Sequence, residues 1–108
     1  AANMLNLPIP AYTKGDKIRA QIEERWLPRL EEFQPEMIFI SAGFDAHRED
    51  DMGQLGLTES DFAWITERVK GVAERFAQGR IVSCLEGGYN LNALARSVEA
   101  HLRVLAEV

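Results

Sequence analysis

Two short runs hold the side chains best placed to do chemistry: Ser41-Ala42-Gly43-Phe44-Asp45 and Glu86-Gly87-Gly88-Tyr89-Asn90. Each follows an apolar, β-branched stretch and sets a reactive group where the chain leaves a strand. Open α/β sheets bind ligands at that position. The Asp45 carboxylate is a hard ligand for a cation, and the Tyr89 phenol can donate a hydrogen bond to a carbonyl oxygen that gains charge. Together they point to metal-assisted hydrolysis without completing such a site. Each also has a plainer reading. Asp45 can be a loop aspartate bonded to nearby amides, and Tyr89 can pack as a staple ahead of a helix. Gly87 and Gly88 let the backbone turn sharply and approach a ligand closely. A Gly-Gly turn into a helix also admits phosphate, but neither the G-x-G-x-x-G fingerprint nor a P-loop is present.

Other candidates are weaker. Asp45-Ala46-His47 offers two ligands on one side of an extended segment, although His47 reads more simply as a solvent-facing loop residue. His101 falls one step off an apolar helical stripe and reads as a boundary or surface histidine. Glu49, Asp50 and Asp51 form an acidic run without EF-hand spacing, hence a solvated loop. Met52 is either a gap filler or the wall of a ligand channel. Cys84, in the apolar run Ile81-Val82-Ser83-Cys84-Leu85, reads as a buried structural thiol.

The elements that must position these groups follow from periodicity. Met4-Leu5-Asn6-Leu7 reads as a short strand stopped by Pro8 and Pro10. From Lys14, Ile18, Ile22, Trp26, Leu30 and Phe33 recur at helical spacing. Pro28 predicts a kink near Arg25, and Pro35 ends the helix. Met37-Ile38-Phe39-Ile40 has the continuous apolar character of a strand covered on both faces. A polar loop spans residues 46–57. Thr58 and Asp61 then form a capping box, with Phe62, Ile65, Val69, Val72, Ala73 and Phe76 on one helix face and Gly79 as the C-terminal cap. Residues 80–85 are the next strand. Asn90 caps a last helix whose apolar face is Leu91, Leu94, Ala95, Val98, Leu102 and Leu105. The order β-α-β-α-β-α predicts a parallel sheet with helical crossovers. Such a small sheet has two open edges, so the chain is expected to be part of a larger domain.

The 108 residues make one domain at most. Hydrophobic residues at 46% and charged residues at 27% fit a globular protein. The net charge of −5 offers no basic stripe for nucleic acid. It suits ordinary solubility and mildly favours cationic ligands such as lysine side chains or polyamines. No run approaches the roughly 18 apolar residues of a membrane span. A single cysteine allows no internal disulfide, which suggests a reducing, cytoplasmic setting. The chain opens on Ala1-Ala2-Asn3 without an initiator methionine or signal peptide, as a piece of a longer chain would.

Taken together, Ser-Ala-Gly-Phe-Asp-Ala at 41–46, Asp50, Met52-Gly53 and Leu-Glu-Gly-Gly-Tyr-Asn at 85–90 resemble the C-terminal part of the zinc-dependent histone deacetylase family. That family includes acetoin-utilisation-type and acetylpolyamine amidohydrolase relatives. Leu7-Pro8, Leu27-Pro28 and Leu94-Ala95-Arg96-Ser97 extend the resemblance over essentially the whole chain. It implies a three-layer α/β/α, arginase/deacetylase-like fold of which residues 1–108 are the C-terminal part.

The same resemblance implies a zinc ligand at Asp45 and, at Tyr89, the phenol that hydrogen-bonds the scissile amide carbonyl. Gly87 and Gly88 would line the acyl end of the pocket, and Met52 would wall the substrate tunnel. The implied substrate is an acetylated amine, either a small molecule or acetyl-lysine on a protein. His47 falls where the pattern requires nothing. Asp51 replaces the family's usual proline, and residues 12–16 match only loosely. The tandem histidines and the Asp-x-His pair that complete the family's site lie upstream of these segments, so the remaining part of the domain is an implied partner. Two other readings are a flavodoxin-like module binding phosphate at Gly88 and a non-catalytic interaction domain of the same fold.

Overall fold

The structure, a computed structural model, describes residues 3–108. The first helical stretch runs in three pieces: α1 (Gly15–Gln21), a π-helical turn (Ile22–Trp26) and α2 (Leu27–Phe33). Pro28 cannot donate to the carbonyl four residues back, and its ring crowds that carbonyl. The turn ahead of it widens instead, so that Leu27 N–H bonds the carbonyl of Ile22 five residues back. The kink expected near Arg25 therefore takes the form of a π turn. Gln34 then turns left-handed, with φ at 54°, and ends α2 ahead of Pro35.

β1 (Ile38–Ala42) and β2 (Ile81–Leu85) pair in parallel, with Ile38 opposite Ile81 and Ala42 opposite Leu85. Between them runs α3 (Glu59–Phe76), opened by the Thr58/Asp61 capping box, in which Asp61 Oδ2 accepts from Thr58 N–H at 2.9 Å. α4 (Leu91–Ala106) follows β2. The core joins Ile18, Ile22 and Leu27 to Ala42, Phe44, Leu57, Phe62 and Val72. Phe44 meets Phe62 edge-on at 5.1 Å between ring centroids.

Five expectations need correction. Residues 4–7 form no strand: a groove of about 690 Å³ separates Met4 and Leu5 from β1, so they have no ladder to join. Only one face of the sheet is covered. Ile38, Ile40 and Ser83 are half-buried on that face and Ala42 is buried, whereas Phe39 on the other is 71% exposed. Cys84 shares the open face and is exposed, not buried. The described residues thus supply two of the three layers of an α/β/α sandwich. On α4 the buried positions are Ala93, Ser97 and His101, while Leu91 and Leu102 of the expected apolar face stand in solvent.

His101 is the fifth correction, because it is buried and bonded at both ring nitrogens. Thr66 Oγ1 donates to the Phe62 carbonyl at 2.7 Å, so it can only accept from His101 Nδ1–H at 2.8 Å. Nε2 then accepts from the Ser83 hydroxyl at 2.8 Å. This chain of hydrogen bonds ties β2 to α4 and α3. Burial pushes the imidazole below its ordinary 6.5. The unfolded chain takes up a proton where native His101 stays neutral. Its contribution is therefore full above about pH 6.5 and is lost as pH falls toward the lowered native value. Thermal melts of the full-length protein between about pH 7.5 and pH 5 should show a steeper loss for wild type than for His101→Gln; parallel slopes would refute the assignment.

Candidate functional site

Backbone pairing continues past the strands. Glu86 N–H donates to the Ala42 carbonyl at 2.9 Å, and Phe44 N–H donates to the Gly87 carbonyl at 2.8 Å. The runs carrying Asp45 and Tyr89 therefore lie side by side. The Asp45 carboxylate sits over two glycines: a Cβ on Gly87 would come within 2.9 Å of its Oδ1, and one on Gly43 within 3.1 Å. It is half-buried, and no donor among the described residues hydrogen-bonds it. That removes the reading of Asp45 as an amide-bonded loop aspartate. Gly88 has φ at 144°, and a Cβ there would meet Leu94 Cδ1 at 2.6 Å, so the turn into α4 requires glycine.

The loop over residues 46–57 is built around a buried histidine tied to an ion network at the surface. His47 is wholly buried rather than solvent-facing. Its Nδ1 accepts from Glu49 N–H at 3.1 Å, which places the proton on Nε2, where it is donated to Glu59 Oε2 at 3.0 Å. The ring also stacks on Phe62. Arg96, from α4, bonds both Glu59 and Glu49. Arg96 and then His47 hold the Glu59 carboxyl down at about 2 from the usual 4.5. With both nitrogens engaged, His47 cannot join Asp45 as a ligand. No local pattern singles out Glu59 or Arg96 for this network; the one sequence signal is that Arg96 lies in the Leu-Ala-Arg-Ser stretch.

Asp50 is buried too, although its acidic neighbours Glu49 and Asp51 are exposed. Its Oδ1 accepts from Met52 N–H at 2.9 Å, and its Oδ2 accepts from Tyr89 N–H at 2.7 Å and Asn90 N–H at 3.2 Å. Burial alone would raise its carboxyl, but these three amides outweigh it and the net shift is downward. Asn90 caps α4 by accepting from Ala93 N–H at 3.0 Å, and its Nδ2 donates to the Glu49 carbonyl at 2.9 Å. One carboxylate thus brings Met52 and Tyr89 to the same rim. Both side chains point outward, Met52 at 70% exposed and Tyr89 at 61%. Tyr89 is therefore no staple, and Met52 fills no gap.

Asp45, Gly87, Gly88, Tyr89 and Met52 converge at one end of the sheet. Among the described residues, no three of His, Cys, Asp and Glu lie close enough together to hold a metal ion. A half-buried carboxylate without a hydrogen-bond donor among the described residues fits a metal ligand. A phosphate at the Gly88 turn is disfavoured, because the amides of Tyr89 and Asn90 already serve Asp50. No helix among the described residues is long and apolar enough to cross a membrane.

This is an α/β chain that gathers a carboxylate, a Gly-Gly turn and an outward phenol at the ends of parallel strands. It belongs to the histone deacetylase family: the histone deacetylase domain matches residues 1–105. Type-2 histone deacetylase 1 of Dictyostelium discoideum is 49% identical over 105 residues, covering 97% of this chain and 7% of that protein. Type-2 histone deacetylase 2 of the same organism is 42% identical over 108 residues, covering 97% and 6%. The solved structure of the histone deacetylase Clr3 superposes with a TM-score of 0.84 at 30% identity, over 92% of this chain and 16% of that one. The chain thus spans a small part of the relatives it matches, and the likeness supports the arginase/deacetylase-like α/β fold.

Proposed function

We propose that this chain is the C-terminal part of a single deacetylase domain that hydrolyses an acetylated amine, of the acetyl-lysine or acetylpolyamine type, with zinc. The observation that carries this reading is the Asp45 carboxylate, left without an internal donor beside the Gly-Gly turn that presents Tyr89. Asp45 holds the metal together with ligands from the rest of the domain. When bound, zinc supplies Lewis-acid polarisation of a carbonyl and a water of lowered pKa. Tyr89 donates its hydroxyl proton in a hydrogen bond to the amide oxygen as that oxygen gains charge. Gly87 and Gly88, lacking side chains, leave room for the acetyl group, and Met52 forms an apolar wall.

The rest of the domain has places prepared for it. The free edge of β1 borders the 690 Å³ groove, which Phe39, Trp26 and Phe44 help to line. The bare sheet face and the exposed Leu85 and Leu91 add to this apolar surface.

The full-length protein should carry one zinc and release acetate from an acetyl-lysine peptide or an N-acetylpolyamine. Asp45→Ala should weaken zinc binding by more than about 100-fold and abolish turnover. Metal content and turnover unchanged in that variant would overturn the reading, and zinc binding without turnover on any acetylated amine would mark a non-catalytic relative.

A further inference from the structure

Asp50 hydrogen-bonds neither the Asp45 carboxylate nor the Tyr89 phenol, yet it joins the loop to the start of α4. Its carboxylate is buried and uses both oxygens on three backbone amides drawn from two separate segments. One amide, that of Met52, belongs to its own loop. The others, of Tyr89 and Asn90, lie 39 and 40 residues away at the start of α4. The loop end of this bridge is itself anchored. Asp50 N–H donates to the His47 carbonyl at 3.0 Å, and His47 is locked by Glu59, which Arg96 ties back to α4.

We infer that Asp50 is a positioning residue for Tyr89: it holds the Tyr89 peptide at a set height above the Asp45 loop and so aims the phenol at the reacting carbonyl. This rests on the function proposed above and goes beyond it. Gly87 and Gly88 precede Tyr89 and do little to stiffen its backbone. Against that freedom, a charged acceptor on the Tyr89 amide is the strongest local restraint available, since hydrogen bonds to ionised groups are the strong ones. The phenol is outward and without a partner among the described residues, so nothing but its backbone and rotamer decides where the hydroxyl lies. Misplacing a catalytic donor by about 1 Å can cost about 100-fold in rate.

Asparagine is the informative replacement. It keeps the shape of Asp50 but offers one accepting oxygen and turns an N–H₂ toward the other amides, so it cannot serve both Met52 and the Tyr89-Asn90 pair. In the full-length zinc-loaded enzyme, Asp50→Asn should lower kcat by about tenfold or more, with KM and zinc content near wild type. The decisive measurement is the double-mutant cycle with Tyr89→Phe. If Asp50 acts through the phenol, adding Asp50→Asn to Tyr89→Phe should change kcat by less than about threefold. Losses that multiply, or zinc content that falls with kcat, would overturn the inference and place Asp50 in service of overall stability or of the metal loop. Should Asp50→Asn not yield folded protein, Asp50→Glu keeps the charge, displaces the amides and enters the same cycle with the same two outcomes. Failure of the underlying function is separable: there Tyr89→Phe alone would leave turnover intact.

Discussion

Replacing Tyr89 by phenylalanine in the full-length protein should lower kcat by about 100-fold or more, with KM, zinc content and melting temperature nearly unchanged. The size follows from the proposed role: a single hydrogen-bond donor aimed at a developing oxyanion contributes about 100- to 1,000-fold in rate. The specificity follows from the structure. Phenylalanine keeps the backbone N–H that Asp50 accepts at 2.7 Å, so the turn into α4 stays in place. The ring is largely in solvent and its hydroxyl has no partner among the described residues, so removing the oxygen leaves nothing unsatisfied. Exposed substitutions of this kind usually change stability by less than about 0.5 kcal/mol. A fall in kcat would thus report chemistry, not folding. Steady-state kinetics beside metal analysis check it, and a variant turning over within about threefold of wild type would remove Tyr89 from the reaction.

What could be read from sequence depended on the range of the interactions involved. The strands around Ile38 and Ile81, the capped helix from Glu59 and the Asn90 cap all follow from neighbours a few residues apart. The Asp45 and Tyr89 runs were visible for the same reason, as glycine turns at strand ends. His47, Asp50 and His101 were not, because each is buried by partners far along the chain. Asp50 meets Tyr89 across 39 residues, and His101 meets Thr66 across 35. A short polar loop carries no local sign that one of its three acids will be enclosed. Cys84 and Phe39 fail in the opposite sense. Their apolar runs have the composition of a strand buried on both sides, yet among the described residues nothing covers the second side.

The second large effect concerns a residue with no side chain. A Cβ placed on Gly53 would lie 2.0 Å from the Asp45 carbonyl oxygen, 2.6 Å from its carbon and 3.1 Å from Ala46 N. These are backbone atoms, so no rotamer change relieves the overlap; the peptide carrying Asp45 must move. It has little freedom to do so, since the Ala46 carbonyl accepts from Leu57 N–H at 3.0 Å and His47 N–H is bonded to the Phe44 carbonyl. Gly53→Ala should therefore displace the Asp45 carboxylate from its seat over Gly43 and Gly87. Zinc affinity and kcat/KM should both fall, the latter by about 100-fold, with about 1–3 kcal/mol lost from stability. Gly71→Ala is the matched control. A Cβ there meets nothing within 4 Å, in the middle of α3. It should stabilise the protein by about 0.5–1 kcal/mol and leave zinc and turnover alone. Calorimetry, metal analysis and kinetics on the pair separate the two cases. If Gly53→Ala kept full zinc and full activity, the Asp45 loop would not be the rigid support that its packing describes.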